Sequence, residues 1–198
     1  MTGRLFTLLL AGTLLAGCMT GPPAGPPPPA GVAAVARDSL YLTLPTPPGY
    51  PGEKEMAQSI VAEYGPRKVA FDALVSLSPQ KVTIIVTAPA GPRVAQIDWD
   101  AAGVHTTTDG SPPPGFRGEN VLADLVMTSW PKPALETALG GRLEVWDYPD
   151  GHRKLVRGRE LVVDIPPAVR DADGSSKRTL TNHDFGYRLT IVSRESGQ

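Results

Sequence analysis

A single cysteine in 198 residues rules out an internal disulfide and a cysteine metal cluster. Histidine is almost as scarce. His105, His152 and His183 stand far apart, and no two have the i, i+4 spacing that sets zinc ligands on one helix face. The chain also lacks a Gly-x-Ser-x-Gly elbow, a Walker loop and a dinucleotide glycine fingerprint, the usual marks of hydrolases, nucleotide enzymes and dehydrogenases. Formal net charge is −1, and no stretch gathers lysine and arginine as nucleic-acid binding demands. Apolar runs are short everywhere, so no segment has the roughly 20 residues of a membrane span. Asp98 and Asp100 flank Trp99, but on a strand they share the side opposite the indole. That is a solvated face, not a catalytic acid pair.

What is abundant is glycine, at 21 residues, and proline, at 22. Much of it follows an N-terminus built like a signal peptide: Met1-Thr2-Gly3-Arg4, then an apolar stretch from Leu5 to Ala16 and small residues. Leu15-Ala16-Gly17-Cys18 resembles the bacterial lipobox, which implies cleavage before Cys18 and lipidation of its sulfur. Residues 1–17 are therefore read as a lipoprotein signal peptide. Several acyl chains, at about 0.8 kcal/mol per buried methylene, then hold the protein on a bilayer. Met19 follows the cysteine where the rule for inner-membrane retention in enteric bacteria asks for aspartate, so the expected location is the outer membrane, with the domain in the periplasm. Residues 18–37, rich in Pro, Gly and Ala, read as a tether, in which Pro22-Pro23 and Pro26-Pro27-Pro28-Pro29 favour extended polyproline geometry.

Residues 38–198 read as one mainly β domain of α+β composition. Val69, Phe71, Ala73, Val75 and Leu77 alternate with polar neighbours, as on a half-buried strand. Lys81–Thr87 is a β-branched run, and 94–99 and 104–108 repeat the pattern between short turns that suit antiparallel neighbours. The segment 53–64 fits either element, and strand is preferred. After a Pro-rich loop at 109–118 the period changes. Val121, Leu122, Leu125 and Val126 share one helical face, and 133–139 forms a second helix that ends at Gly140-Gly141. Trp130-Pro131 separates the two. Strands return at 143–148, 155–157, 161–165, 178–182 and 187–193, with Pro149-Asp150-Gly151-His152 as a hairpin turn.

So large an apolar face must curl, close or be covered, because exposing it costs about 25 cal/mol per Å². The expected fold is a single curved antiparallel sheet under a short helical lid, with a hollow that the two helices are too short to fill. Asp124-Leu125, Trp130-Pro131, the leucine-alanine helix and Gly186-Tyr187-Arg188-Leu189-Thr190-Ile191 resemble an uncharacterised lipoprotein family. That family is similar to LolB, the outer-membrane receptor for lipoproteins, and is often encoded among aryl-polyene and fatty-acid-like biosynthesis genes. The resemblance runs from about Glu53 to the end of the chain.

It implies a LolA/LolB-like half-barrel that accepts lipid or acylated cargo, for instance in aryl-polyene lipid export, with a periplasmic carrier protein as a possible partner. The residues expected to line its hydrophobic cavity are Phe71, Val75, Leu77, Ile84, Val86, Trp99, Leu125, Trp130, Leu143, Val145, Val163, Tyr187 and Leu189. The chain departs from LolB in offering no apolar tip loop; Phe116, among prolines, is the sole candidate. No enzyme activity, metal or cofactor is expected. Two other readings stay open. One is an assembly lipoprotein that docks an envelope complex and needs no cavity. The other is a periplasmic hydrolase, which would require His152 or His183 in a cleft beside an acid.

Overall fold

The computed structural model describes residues 27–89, 91–109 and 116–195. The signal peptide, Cys18 and the first part of the tether lie outside the described residues, as does most of the 109–118 loop. Strands dominate. β3 (Lys54–Tyr64) and β4 (Arg67–Leu77) form the longest hairpin, so the ambiguous 53–64 segment is a strand. β5 (Val82–Thr87), β6 (Arg93–Asp100) and β7 (Gly103–Thr108) extend the meander. Two helices follow, α1 (Gly118–Ser129) and α2 (Lys132–Leu139). A second meander runs through β8 (Glu144–Asp147), β9 (Arg153–Arg157), β10 (Glu160–Ile165), the short β11 (Val169–Arg170), β12 (Ser176–Asn182) and β13 (Tyr187–Glu195).

The two meanders join at their long strands. β13 pairs antiparallel with β3, from Tyr187 opposite Tyr64 to Glu195 opposite Met56. This gives an 11-stranded antiparallel sheet in the order β7-β6-β5-β4-β3-β13-β12-β10-β9-β8, with β11 beside β12. It is not closed into a barrel: β7 and β8 remain as edges. The helices connect those edges, with α1 packing against β7 and α2 against β8.

Alternation decides which side chains the sheet buries. In β5, Val82, Ile84 and Val86 point inward while Thr83, Ile85 and Thr87 point out. In β4, Ala73, Val75 and Leu77 are buried, whereas Leu74 on the other face is more than half exposed. Trp99 is fully buried between the partly buried Asp98 and Asp100, as its strand position demands.

The tether expected over 18–37 is shorter at its C-terminal end. Val32–Ala36 is a strand, β1, that pairs with β2 (Leu40–Thr43) as a separate two-stranded sheet. Ala33, Val35, Ala36, Leu42 and Leu44 are at most 3% exposed. Composition hid this hairpin, because Val-Ala-Ala-Val-Ala continues the small-residue character of the spacer while supplying side chains slim enough to pack under helices. α1 lies against β1 and α2 against β2, so hairpin and helices form one covering layer. Its inner surface and that of the sheet make one continuous apolar core.

Gly118 opens α1 at a close approach of the helix to β6 and β7. A Cβ there would overlap the Thr106 hydroxyl and press on Ile97 at 3.2 Å. At the far end of α2, Gly140 takes the left-handed conformation, φ 60°, that stops the helix.

Candidate functional site

The thirteen residues expected to line a hollow are the interior of the protein. Val75, Leu77, Ile84, Val86, Trp99, Leu125, Trp130, Leu143, Val145, Val163 and Leu189 are all buried, and Phe71 and Tyr187 are partly buried against them. They meet α1, α2 and the hairpin. Phe116, the candidate tip, is also partly buried against this core and does not project.

The segment after the hairpin is clipped in place by the two buried tryptophans. Trp99 donates its indole N–H to the Pro45 carbonyl at 2.8 Å, and Trp130 donates to Pro48 at 2.9 Å. Their rings stack with centroids 5.6 Å apart, and Tyr50 meets Trp130 edge-on at 5.1 Å. A buried tryptophan needs an acceptor for its N–H, and proline carbonyls supply one because a proline-rich segment has few backbone donors of its own.

Polar contacts between the covering layer and the sheet are few and specific. Asn182 on β12, fully buried, donates to the Val35 carbonyl at 2.8 Å and accepts from the Phe185 N–H at 2.9 Å. Asp184 accepts from the Arg37 backbone N–H at 3.0 Å. The C-terminal carbonyls of α1 are met by cations from the sheet, since the helix has no basic residue in its own last turn. Arg153 donates to the Met127 and Trp130 carbonyls at 2.9 and 2.8 Å, and Arg178 donates to the Thr128 carbonyl. Positive charge at that terminus complements both the unpaired carbonyls and the helix dipole.

Near the middle of α1, Asp124 faces β13. It accepts a 2.6 Å hydrogen bond from the Tyr187 hydroxyl, and Tyr64 lies against Tyr187 with ring centroids 5.5 Å apart. Burial pushes the Asp124 carboxyl up to about 7, with the Tyr187 hydrogen bond acting in the opposite direction. Burial also raises the Tyr187 phenol well above its usual range, helped by the charge and hydrogen bond of Asp124. Tyr64 is raised for similar reasons, burial first and Asp124 second. In the sequence Asp124 stands out only as half of the Asp124-Leu125 pair. No local pattern singles it out, because its partner Tyr187 reaches it only through the packing of α1 on β13.

Two clefts stand out. The larger, about 550 Å³, is open and lies between the β3–β4 and β12–β13 turns, with Arg67, Lys68, His183, Tyr187 and Arg188 among its walls. The smaller, about 220 Å³, lies on the covered face of the sheet beyond the C-terminal end of α1, with Tyr50, Met56, Gln58, Arg178, Ile191 and Ser193 among its walls. Of the expected cavity residues, Tyr187 alone lines either cleft.

The histidines do not assemble a hydrolytic site in these clefts. His152 meets Asp164 at 2.7 Å, but lines neither. His183 lines the larger, where the acidic wall residue, Glu63, pairs with Lys68 at 3.4 Å. Among the described residues no group of three or more His, Cys, Asp or Glu is placed to hold a metal. No helix among them is long and apolar enough to cross a membrane.

Fold and site together define a lidded open-sheet protein: an antiparallel sheet whose apolar face is covered by two helices and a hairpin. The chain belongs to the DUF3261 family, proteins of unknown function, which it matches over residues 55–195. That span takes in the main sheet and both helices and begins after the β1–β2 hairpin. None of the curated proteins compared with the chain matches it.

Proposed function

We propose that this is an outer-membrane lipoprotein, anchored through Cys18, that takes up an acyl chain or similar hydrophobic cargo against the inner face of a LolB-like half-barrel. The observation that carries this reading is the construction of the cover. The hairpin is a sheet of its own, with no backbone ladder to the main sheet, and it fills the hollow left by two short helices. Cargo enters by exchange. Withdrawing Val35, Leu42 and Leu44 costs roughly 5–9 kcal/mol at about 1.5–3 kcal/mol each. An acyl chain of about 14 methylenes regains roughly 11 kcal/mol in their place. The two quantities are close enough for reversible loading, and the tether places the hairpin next to the membrane that supplies or receives the chain. The donor or acceptor is a periplasmic carrier protein or the bilayer itself.

The test is uptake of a fluorescent acyl probe by the purified full chain, together with native mass spectrometry for co-purified lipid. Uptake is expected, faster in Leu42→Ala, whose hairpin is held less tightly. Absence of both bound lipid and uptake refutes the proposal.

One observation favours a second reading, an assembly lipoprotein that docks an envelope complex: the core is filled, and edge strand β8 presents Trp146 and, just beyond it, Tyr148, 44% and 40% exposed. An unpaired strand edge is a template for another chain. This reading predicts no uptake at all, and loss of function in cells on Trp146→Lys.

A further inference from the structure

The smaller cleft holds a cation without an anionic partner. Arg178 projects from β12 onto the covered face of the sheet and is partly buried. One Nη donates to the Thr128 carbonyl, and among the described residues its guanidinium forms no other hydrogen bond and no ion pair. The other charged groups of the cleft neutralise each other, since Lys54 and Glu195 pair at 2.6 Å. The other charge acting on Arg178 is a second cation, Arg153, already occupied by Asp147. A guanidinium half removed from water, repelled by its neighbour and left with free donors, is an anion site.

The rest of the cleft is amphipathic. Gln58 and Ser193, hydrogen-bonded to each other at 3.1 Å, add polar groups beside the cation, while Tyr50, Met56 and Ile191 supply an apolar wall. At about 220 Å³, the cleft has the volume of roughly seven liquid waters, below the usual range for a drug-sized ligand. It suits a head group and the first part of a chain.

We propose that this cleft seats the oxyanion head, carboxylate or phosphate, of a single-chain amphiphile, with Arg178 as the recognising residue. The inference rests on the carrier reading and specifies its cargo: an anionic amphiphile enters head-first beside the end of α1, and its tail takes the path toward the hairpin. Arg178 thereby exchanges solvent, not its helix contact, for the ligand, because the fork has donors to spare.

The experiment uses the full chain carrying Cys18→Ser, so that no lipid of its own competes, and titrates it calorimetrically with octanoate, octyl phosphate and octanol. Octanoate or octyl phosphate should bind at least about tenfold tighter than octanol, as expected of a charge-assisted hydrogen bond. The ratio between the two anions identifies the head. Arg178→Gln should erase the preference, bringing the anions down to the affinity of octanol. Ser176→Asp, which puts a carboxylate on the same face two residues away, should do the same should the first variant fail to fold. Equal binding of octanol and the anions, or a preference that survives both substitutions, overturns the head-group site and leaves the carrier reading intact. Failure of all three ligands, with no uptake of the neutral acyl probe, overturns both.

Discussion

Asp124 makes the stability of this protein depend on pH in a direction opposite to that of most carboxylates. Its pKa rises from an ordinary value near 3.8 to about 7 on folding, chiefly because α1 presses it against the sheet. The folded state therefore holds the proton more tightly than the unfolded chain. The stabilisation is fully present below about pH 4 and is lost as pH rises through about 7. A gap of about three units at about 1.4 kcal/mol each corresponds to roughly 4 kcal/mol, and partial solvent access to the carboxyl reduces this to about 2–4 kcal/mol. With a urea m-value of about 2 kcal/mol/M, this contribution should lower the unfolding midpoint by about 1–2 M between pH 4 and pH 8. Asp124→Asn retains an acceptor for the Tyr187 hydroxyl and cannot ionise. It should match the parent within about 1 kcal/mol at pH 4 and exceed it by about 2–4 kcal/mol at pH 8. Any other group that titrates in this interval contributes equally to both proteins and cancels in the difference. A stability difference between variant and parent that is the same at both pH values would refute the reasoning.

Three further outcomes follow from the packing. Asn182→Ala removes both hydrogen bonds of a fully buried amide and strands the Val35 carbonyl, which should cost about 2–4 kcal/mol; hydrogen exchange should then quicken in residues 32–43 before the main sheet. Trp130→Phe loses the bond to Pro48 and part of the stack on Trp99, for about 2–4 kcal/mol in urea unfolding, with the near-ultraviolet circular dichroism of the tryptophan pair diminished. Gly118→Val drives a side chain into Thr106 and Ile97 and should lower stability by about 1–3 kcal/mol, whereas an ordinary helix N-terminus would accept valine at little cost.

Most of the strand and helix assignments were legible because each rests on local chemistry. Lys81–Thr87 alternates and is β-branched, and β5 runs from Val82 to Thr87. Pro149-Asp150-Gly151-His152 suits a tight turn, and Tyr148 N–H bonds to the His152 carbonyl at 2.9 Å across it. The β1–β2 hairpin escaped the same reading. Five residues of alanine and valine after a proline-rich stretch carry no polar alternation, and what makes them a strand is the pair of helices above and the sheet below. Two helices are too short to cover so large an apolar face, and the β1–β2 hairpin supplies the rest of the cover, so the residues expected around a hollow lie in or against the core.

The site was less legible than the fold. Arg178 is one of many arginines in the sequence, and its lack of a carboxylate partner among the described residues depends on β12 lying beneath the end of α1, fifty residues earlier in the chain. Asp124 and Tyr187 were noted as parts of a motif, but only the approach of α1 to β13 makes them hydrogen-bonding partners. The amino-acid sequence by itself determined the period of most elements, the face most strands bury, and the scarcity of cysteine and histidine. Tertiary structure decided that β13 closes onto β3, that the β1–β2 hairpin covers the sheet, and which charges among the described residues are left without partners. The division has a physical cause: periodicity and turn chemistry act between neighbours along the chain, whereas burial and charge compensation depend on residues that only folding brings together.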